Sequence, residues 1–252
     1  MRKISKLVPA LLGIALVASG CSVAGQGPRR TAGEPHGSGG LSGVVLVGDS
    51  IAAGEALPLT QAFAAGDVHF TSLAADGGGN VVGPFSDQGW KTLPKRISDA
   101  HPSVVVYQIT TYDWGNPQTQ EAAYRKLVTT AGEAGAKLVL VSMPPIRPDD
   151  FYRPHMADLQ RAAGVAHEVA EDSSGRATFL DAGEVWGRGY QQLRNGTADR
   201  SKDGIHTCPQ GAARFTAWLL QKLTAVFPGF RPADASSWAN TGWADDKRFG
   251  GC

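Results

Sequence analysis

Apolar residues along the chain fall into short runs separated by longer amphipathic stretches. Five runs, 44–47, 68–73, 104–109, 138–142 and 177–180, read as buried strands. The stretches 51–65, 90–100, 119–134, 153–171 and 210–227 read as helices. Five alternations of strand and helix predict an α/β domain. Its expected architecture is a flavodoxin-like three-layer α/β/α sandwich around a five-stranded parallel sheet. In such sheets ligands bind beyond the carboxyl ends of the strands, where the strand order reverses. Ser50, the cluster Gly77-Gly78-Gly79, Tyr112 and Asp113 each follow a predicted strand, so the chemically capable residues gather on one edge. The chain has no internal repeat.

Before the first strand the pattern changes. Arg2, Lys3 and Lys6 precede an apolar segment over 7–17, shorter than the roughly 20 residues a membrane span needs. It ends in Ala18-Ser19-Gly20-Cys21, which resembles a bacterial lipoprotein signal. That resemblance implies a signal peptide over 1–21 and lipid on Cys21; an ordinary secretory peptide cleaved nearby is the alternative. Both place the folded part outside the cytoplasm, and the first anchors it to the bacterial cell membrane. Residues 22–42 are rich in Gly, Pro, Ser and Arg and read as a flexible linker with a reach of roughly 25 Å. The main domain is then expected over 43–227, with a tail over 228–252 packed against it.

Composition narrows the partners. A chain of 252 residues with 42% hydrophobic content suffices for one full core. Its 24 basic and 23 acidic residues are well mixed, with no basic stripe, so nucleic acid is not an expected partner. A monomer is expected. Beyond Cys21, only Cys208 and Cys252 remain; in an oxidising compartment they suggest a disulfide, two free thiols being the alternative. A bridge there would pin the tail beside His206 and contribute about 4 kcal/mol in the chain-entropy model.

The candidate chemistry lies in two short strings. Gly48-Asp49-Ser50 sits between the first strand and the first helix, where free backbone N–H groups can face a developing negative charge. Asp203-Gly204-Ile205-His206 sets a carboxylate three residues before an imidazole, close enough to meet on one helical or 3₁₀ turn. Serine, histidine and aspartate together are the parts of an acyl-transfer nucleophile. Each string is weak alone, since a serine before a helix is also a common N-cap.

With this order and these contexts, the stretch from Gly43 to Phe227 resembles the SGNH (GDSL-type) hydrolases. The resemblance implies Ser50 as nucleophile, His206 as base and Asp203 as the partner that orients it. The oxyanion hole would comprise the Ser50 N–H, Gly78 in the glycine cluster (with Gly77 or Gly79 as alternatives), and the block after the third strand. That block departs from the family pattern: Thr110-Thr111-Tyr112-Asp113 puts Tyr112 where the family carries asparagine. The Tyr112 hydroxyl, Trp114 or Asn116 could supply the missing donor, or the site could be slow. More loosely, Pro209, Gly211, Trp238, Trp243, Asp245, Asp246 and Arg248 are similar to the SGNH domains of bacterial membrane acyltransferases that decorate envelope glycans. The implied function is a serine esterase on O-acyl esters of envelope carbohydrate. An O-acyltransferase and a non-catalytic glycan-binding lipoprotein are the alternatives.

No cofactor and no metal is called for. Asp149, Asp150 and His155 lack the spacing of a calcium loop or a zinc helix. The proline-rich loop 143–153 is expected to wall the substrate site. Trp238 and Trp243 read either as sugar-stacking rings or as packing residues. Asp113 supports the loop or caps the next helix.

Overall fold

The computed structural model describes residues 40–252. The signal segment, Cys21 and most of the linker lie outside the described residues. Five strands, β1 (Gly43–Val47), β2 (His69–Ser72), β3 (Val104–Gln108), β4 (Lys137–Val141) and β5 (Ala177–Leu180), pair in parallel. Their order, β2-β1-β3-β4-β5, is the flavodoxin-like one, with its switch point between β1 and β3.

Strand periodicity sorts the core into two layers. Val44, Leu46, Val104, Val106, Val139 and Val141 point to one face and pack on α1 (Ser50–Ala65) and α7 (Pro209–Val226). Val45, Val47, Val105, Tyr107, Leu138 and Leu140 point to the other, where they meet α3 (Leu93–Asp99), α4 (Pro117–Glu133) and α5 (Met156–Glu171). Both faces are covered, which is why the inner strands carry apolar residues on both sides. Among the described residues no helix is long and apolar enough to cross a membrane.

The strands lie within about a residue or two of their expected places. Helix α5 starts later than expected: Arg153–His155 forms a 3₁₀ turn ahead of it, around Pro154. The short helices α2 (Ser86–Trp90) and α6 (Gly183–Trp186), and the hairpin β6 (Leu193–Arg194) with β7 (Thr197–Ala198), are too brief to carry a period.

Beyond α7 the tail folds back over α1 and α7 through three 3₁₀ turns, Ala235–Ser237, Trp243–Asp245 and Lys247–Phe249. Trp238, Trp243 and Phe249 are buried, and a Cys208–Cys252 disulfide ties the tail to the start of α7. The two tryptophans therefore pack and do not face a ligand.

Candidate active site

Helices α1 and α7 lie side by side on one face, and both begin at the carboxyl edge of the sheet. Ser50 is the first residue of α1, and the Asp203–His206 turn immediately precedes α7. This packing brings together residues 156 positions apart: Ser50 Oγ lies 2.8 Å from His206 Nε2. On the other side of the ring, Nδ1 lies 2.8 Å from Asp203 Oδ2. A carboxylate can only accept, so Nδ1 carries the proton and Nε2 is left to accept from the Ser50 hydroxyl.

The Asp203–His206 turn is not helical, contrary to the expectation. Strands of backbone on either side pair instead, with Ser201 N–H donating to His206 O at 2.9 Å and Cys208 N–H to Asp199 O at 3.0 Å. Gly204 adopts φ +87°, and a Cβ there would lie 2.8 Å from Arg147 O. That left-handed step excludes a helix and folds Asp203 back onto the ring. Asp203 Oδ1 then accepts from the N–H groups of Ile205 (2.7 Å) and His206 (3.0 Å). Partial burial pushes this carboxyl up, but the His206 ring and the two N–H groups outweigh it and hold it at about 2.

Asp49 joins the Ser50 turn to the loop after β3. It is buried, caps α1 by accepting from Ile51 N–H, and accepts from both the N–H and the hydroxyl of Thr111 at 2.8 Å. Two residues on, Asp113 is buried beneath the hydroxyls of Tyr107, Tyr124 and Thr110, all within 2.8 Å. The Tyr107 hydroxyl also accepts from Val81 N–H, so the glycine loop after β2 is held by the same cluster. Asp113 therefore supports the loop, while Asn116 caps α4.

Burial lifts the Asp113 carboxyl to about 7, against the bonds from Tyr107, Tyr124 and Thr110. The folded state keeps a proton there that the unfolded chain, with the ordinary value of 3.8, has released. Its stabilising contribution is whole below the lower value and is lost as pH rises through the higher one. Asp113→Asn, fixed in the neutral form, should therefore gain on the wild type in Tm between about pH 4 and 7. A Tm difference that stays constant over that range would contradict this account.

The expected oxyanion residues are placed as follows. Gly79, not Gly78, is the position that demands glycine, since at φ +79° a Cβ would lie 1.9 Å from Gly48 O. Gly78 stands in open space on the same loop. Tyr112 receives a hydrogen bond at 3.4 Å from the Tyr152 hydroxyl, so its own proton stays free to donate. Burial pushes the Tyr112 phenol up and keeps it neutral. Trp114 Nε1 is committed to Thr111 O at 2.8 Å, and Asn116 Oδ1 accepts from Thr119 N–H at the start of α4.

Two cavities open on this edge. One, of about 360 Å³, is lined by Ser50, His206, Asp76, Lys247, Arg248 and Phe249 among others. The other, about 300 Å³, is bounded by Ile109, Met143, Ile146, Asp181 and Tyr190 and contains neither Ser50 nor His206. Only the first can hold a reacting group. Around Tyr112 stand Phe85, Trp114, Phe151 and Tyr152, with ring centroids 5.9–6.3 Å from its own. Phe85 and Phe151 are more than half exposed. His155 stacks on Trp114 at 3.4 Å, Asp149 accepts from Phe151 and Tyr152 N–H, and Asp150 pairs with Arg153.

Beneath the His206 turn lies a buried cation, Arg200, that no local pattern announces. Arg200 donates to the carbonyls of Pro145 (2.8 Å), His206 (3.3 Å) and Ile205. It thereby joins the 143–153 loop to the His206 turn. Its guanidinium carbon lies 5.2 Å from the Trp186 ring. Glu55, fully buried in α1, accepts from Gln108 Nε2 at 2.7 Å. Burial drives its carboxyl well up, with Gln108 and then Arg200 opposing the shift. A charged residue inside Ile51-Ala52-Ala53-Gly54-Glu55-Ala56 was a visible signal; Arg200 gave none.

No protein-family model matches the chain, and no curated protein sequence does. Solved structures do. A candidate SGNH hydrolase from Slackia heliotrinireducens superposes with a TM-score of 0.54 at 18% identity, covering 73% of this chain and 99% of its own. A GDSL-like lipase from Bacteroides thetaiotaomicron gives 0.54 at 16% identity over 73% and 89%. The fold is that of the SGNH/GDSL hydrolases. The periplasmic domain of a lipopolysaccharide acetyltransferase from Salmonella ser. Paratyphi A shares the SGNH/GDSL fold with this chain, with a TM-score of 0.50 at 11% identity over 73% and 84%.

Proposed function

We propose that this protein is a serine esterase that removes O-acyl groups from cell-envelope carbohydrate through an acyl-serine intermediate. The observation that carries the reading is the continuous chain Asp203–His206–Ser50, with both contacts at 2.8 Å. His206 Nε2 takes the Ser50 proton as Oγ attacks the ester carbonyl. The oxyanion is received by the N–H groups of Ser50 and Gly78 and by the Tyr112 hydroxyl. The tetrahedral adduct collapses, His206 returns the proton to the departing sugar oxygen, and Ser50 keeps the acyl group. Water, deprotonated by His206, then releases the acid and restores the serine.

The aromatic wall of Phe85, Tyr112, Trp114 and Phe151 supports a carbohydrate leaving group, because exposed rings stack on sugar faces. The lipoprotein-like segment ending at Cys21 supports an envelope location, and the disulfide suits an oxidising compartment. In the second reading, a sugar hydroxyl replaces water as acceptor. The structural likeness to the periplasmic domain of a lipopolysaccharide acetyltransferase supports it.

Incubation with an acetylated glycan, with and without excess sugar acceptor, tests both readings. Free acetate alone identifies the hydrolase, and acetylated acceptor identifies the transferase. Both products should vanish in Ser50→Ala; turnover that survives this change would remove Ser50 from the chemistry, and a wild-type protein that binds glycan without turnover would be a lectin-like binder.

A further inference from the structure

The cavity that holds Ser50 and His206 is completed by the tail, which the mechanism above does not use. Lys247, Arg248 and Phe249 form its outer wall. This wall is fixed in place. The Cys208–Cys252 disulfide closes it two residues beyond His206, and Gly251 O accepts from Lys202 N–H and the Ser201 hydroxyl, both at 3.3 Å. Trp243 and Phe249, 5.9 Å apart, pack beneath it.

The charges on this wall do not cancel. Arg248 pairs with Asp76 on the glycine loop at 2.5 Å, bridging tail to loop across the cavity mouth. Asp246 turns its carboxylate to Arg248 N–H, and Asp203 is engaged with the His206 ring. The Lys247 ammonium makes no ion pair or hydrogen bond among the described residues, and Asp76 is the carboxylate of this cavity that feels its charge. The cavity lining therefore sets two cations, Lys247 and Arg248, against the single carboxylate of Asp76, which leaves a positive balance beside the Ser50 hydroxyl.

We infer that the pinned tail is a charge-selecting wall, and that the substrate carries an anionic group, carboxylate or phosphate, which Lys247 and Arg248 receive as the ester reaches Ser50. The inference rests on the esterase reading and names the class of ester: an acyl group next to a fixed negative charge. A lysine supplies a point charge and an arginine a fork, which suits an oxyanion group of either kind.

The test uses three fluorophosphonates of equal length, ending in a carboxylate, a phosphate monoester or a neutral carboxamide, each reacting with the full protein. The anionic probes should label Ser50 about tenfold faster than the carboxamide, and the faster of the two identifies the preferred group. Added salt should narrow the gap. Lys247→Glu should reverse the order, and Lys247→Arg should keep it. Equal rates for all three probes would overturn the inference and leave the serine reading standing. If no probe labels the folded protein, the serine reading fails and takes the inference with it.

Discussion

Asp203→Asn is expected to lower kcat about 10⁴-fold while leaving the fold intact. The asparagine oxygen can still accept from the N–H groups of Ile205 and His206, so the turn keeps its shape. Its amide nitrogen, however, would face His206 Nδ1 with a donor. The ring then relaxes to the tautomer with its proton on Nε2, the atom that must accept from Ser50. Turnover collapses through the wrong tautomer and not through unfolding. Steady-state kinetics beside a melting curve separate the two, and near-normal turnover would remove Asp203 from the proton path. Because Asp203 is held at about 2, whatever stability it supplies is present above the ordinary carboxyl value and lost only as pH falls through about 2.

Arg200→Ala should unfold more than it inactivates. Arg200 is 2% exposed, and its removal leaves the carbonyls of Pro145 and Ile205 without their donor, while His206 O keeps only the Ser201 N–H. It also withdraws the positive charge nearest the buried Glu55. Losses of this kind cost about 3–5 kcal/mol, a fall in Tm on the order of 10 °C for a domain of this size. Arg200→Lys should recover little, since one ammonium cannot span three carbonyls. A change in Tm of only a degree or two in Arg200→Ala would show that the buried clamp is not what holds the turn.

Legibility in the sequence followed the range of the interactions. The strands and long helices were readable because each satisfies its own period, and the apolar runs at 44–47 and 104–109 fill both faces of the sheet. Ser50, Asp203 and His206 could be picked out because their local strings are distinctive. Their meeting depends on α1 and α7 sharing one face, which the strand–helix alternation implies but no single residue states. What stayed hidden was set by tertiary contact alone. Gly79 rather than Gly78 meets the Gly48 carbonyl, a fact of loop crossing that three consecutive glycines cannot reveal. The turn at Gly204 reads as helical or 3₁₀ until Arg147 is seen packed against it. Nothing local marked Arg200 as buried, and the expected bridge brought the tail to His206 without saying that Lys247 and Arg248 would line the cavity.

The central claim is that Ser50 is a nucleophile made reactive by His206. Treating the folded protein with a neutral fluorophosphonate and locating the adduct by peptide mass spectrometry tests it most directly. The account predicts one phosphonylated residue, Ser50, and loss of that label in His206→Ala. A folded protein that stays unmodified, or one that carries the adduct on a different serine, would contradict it.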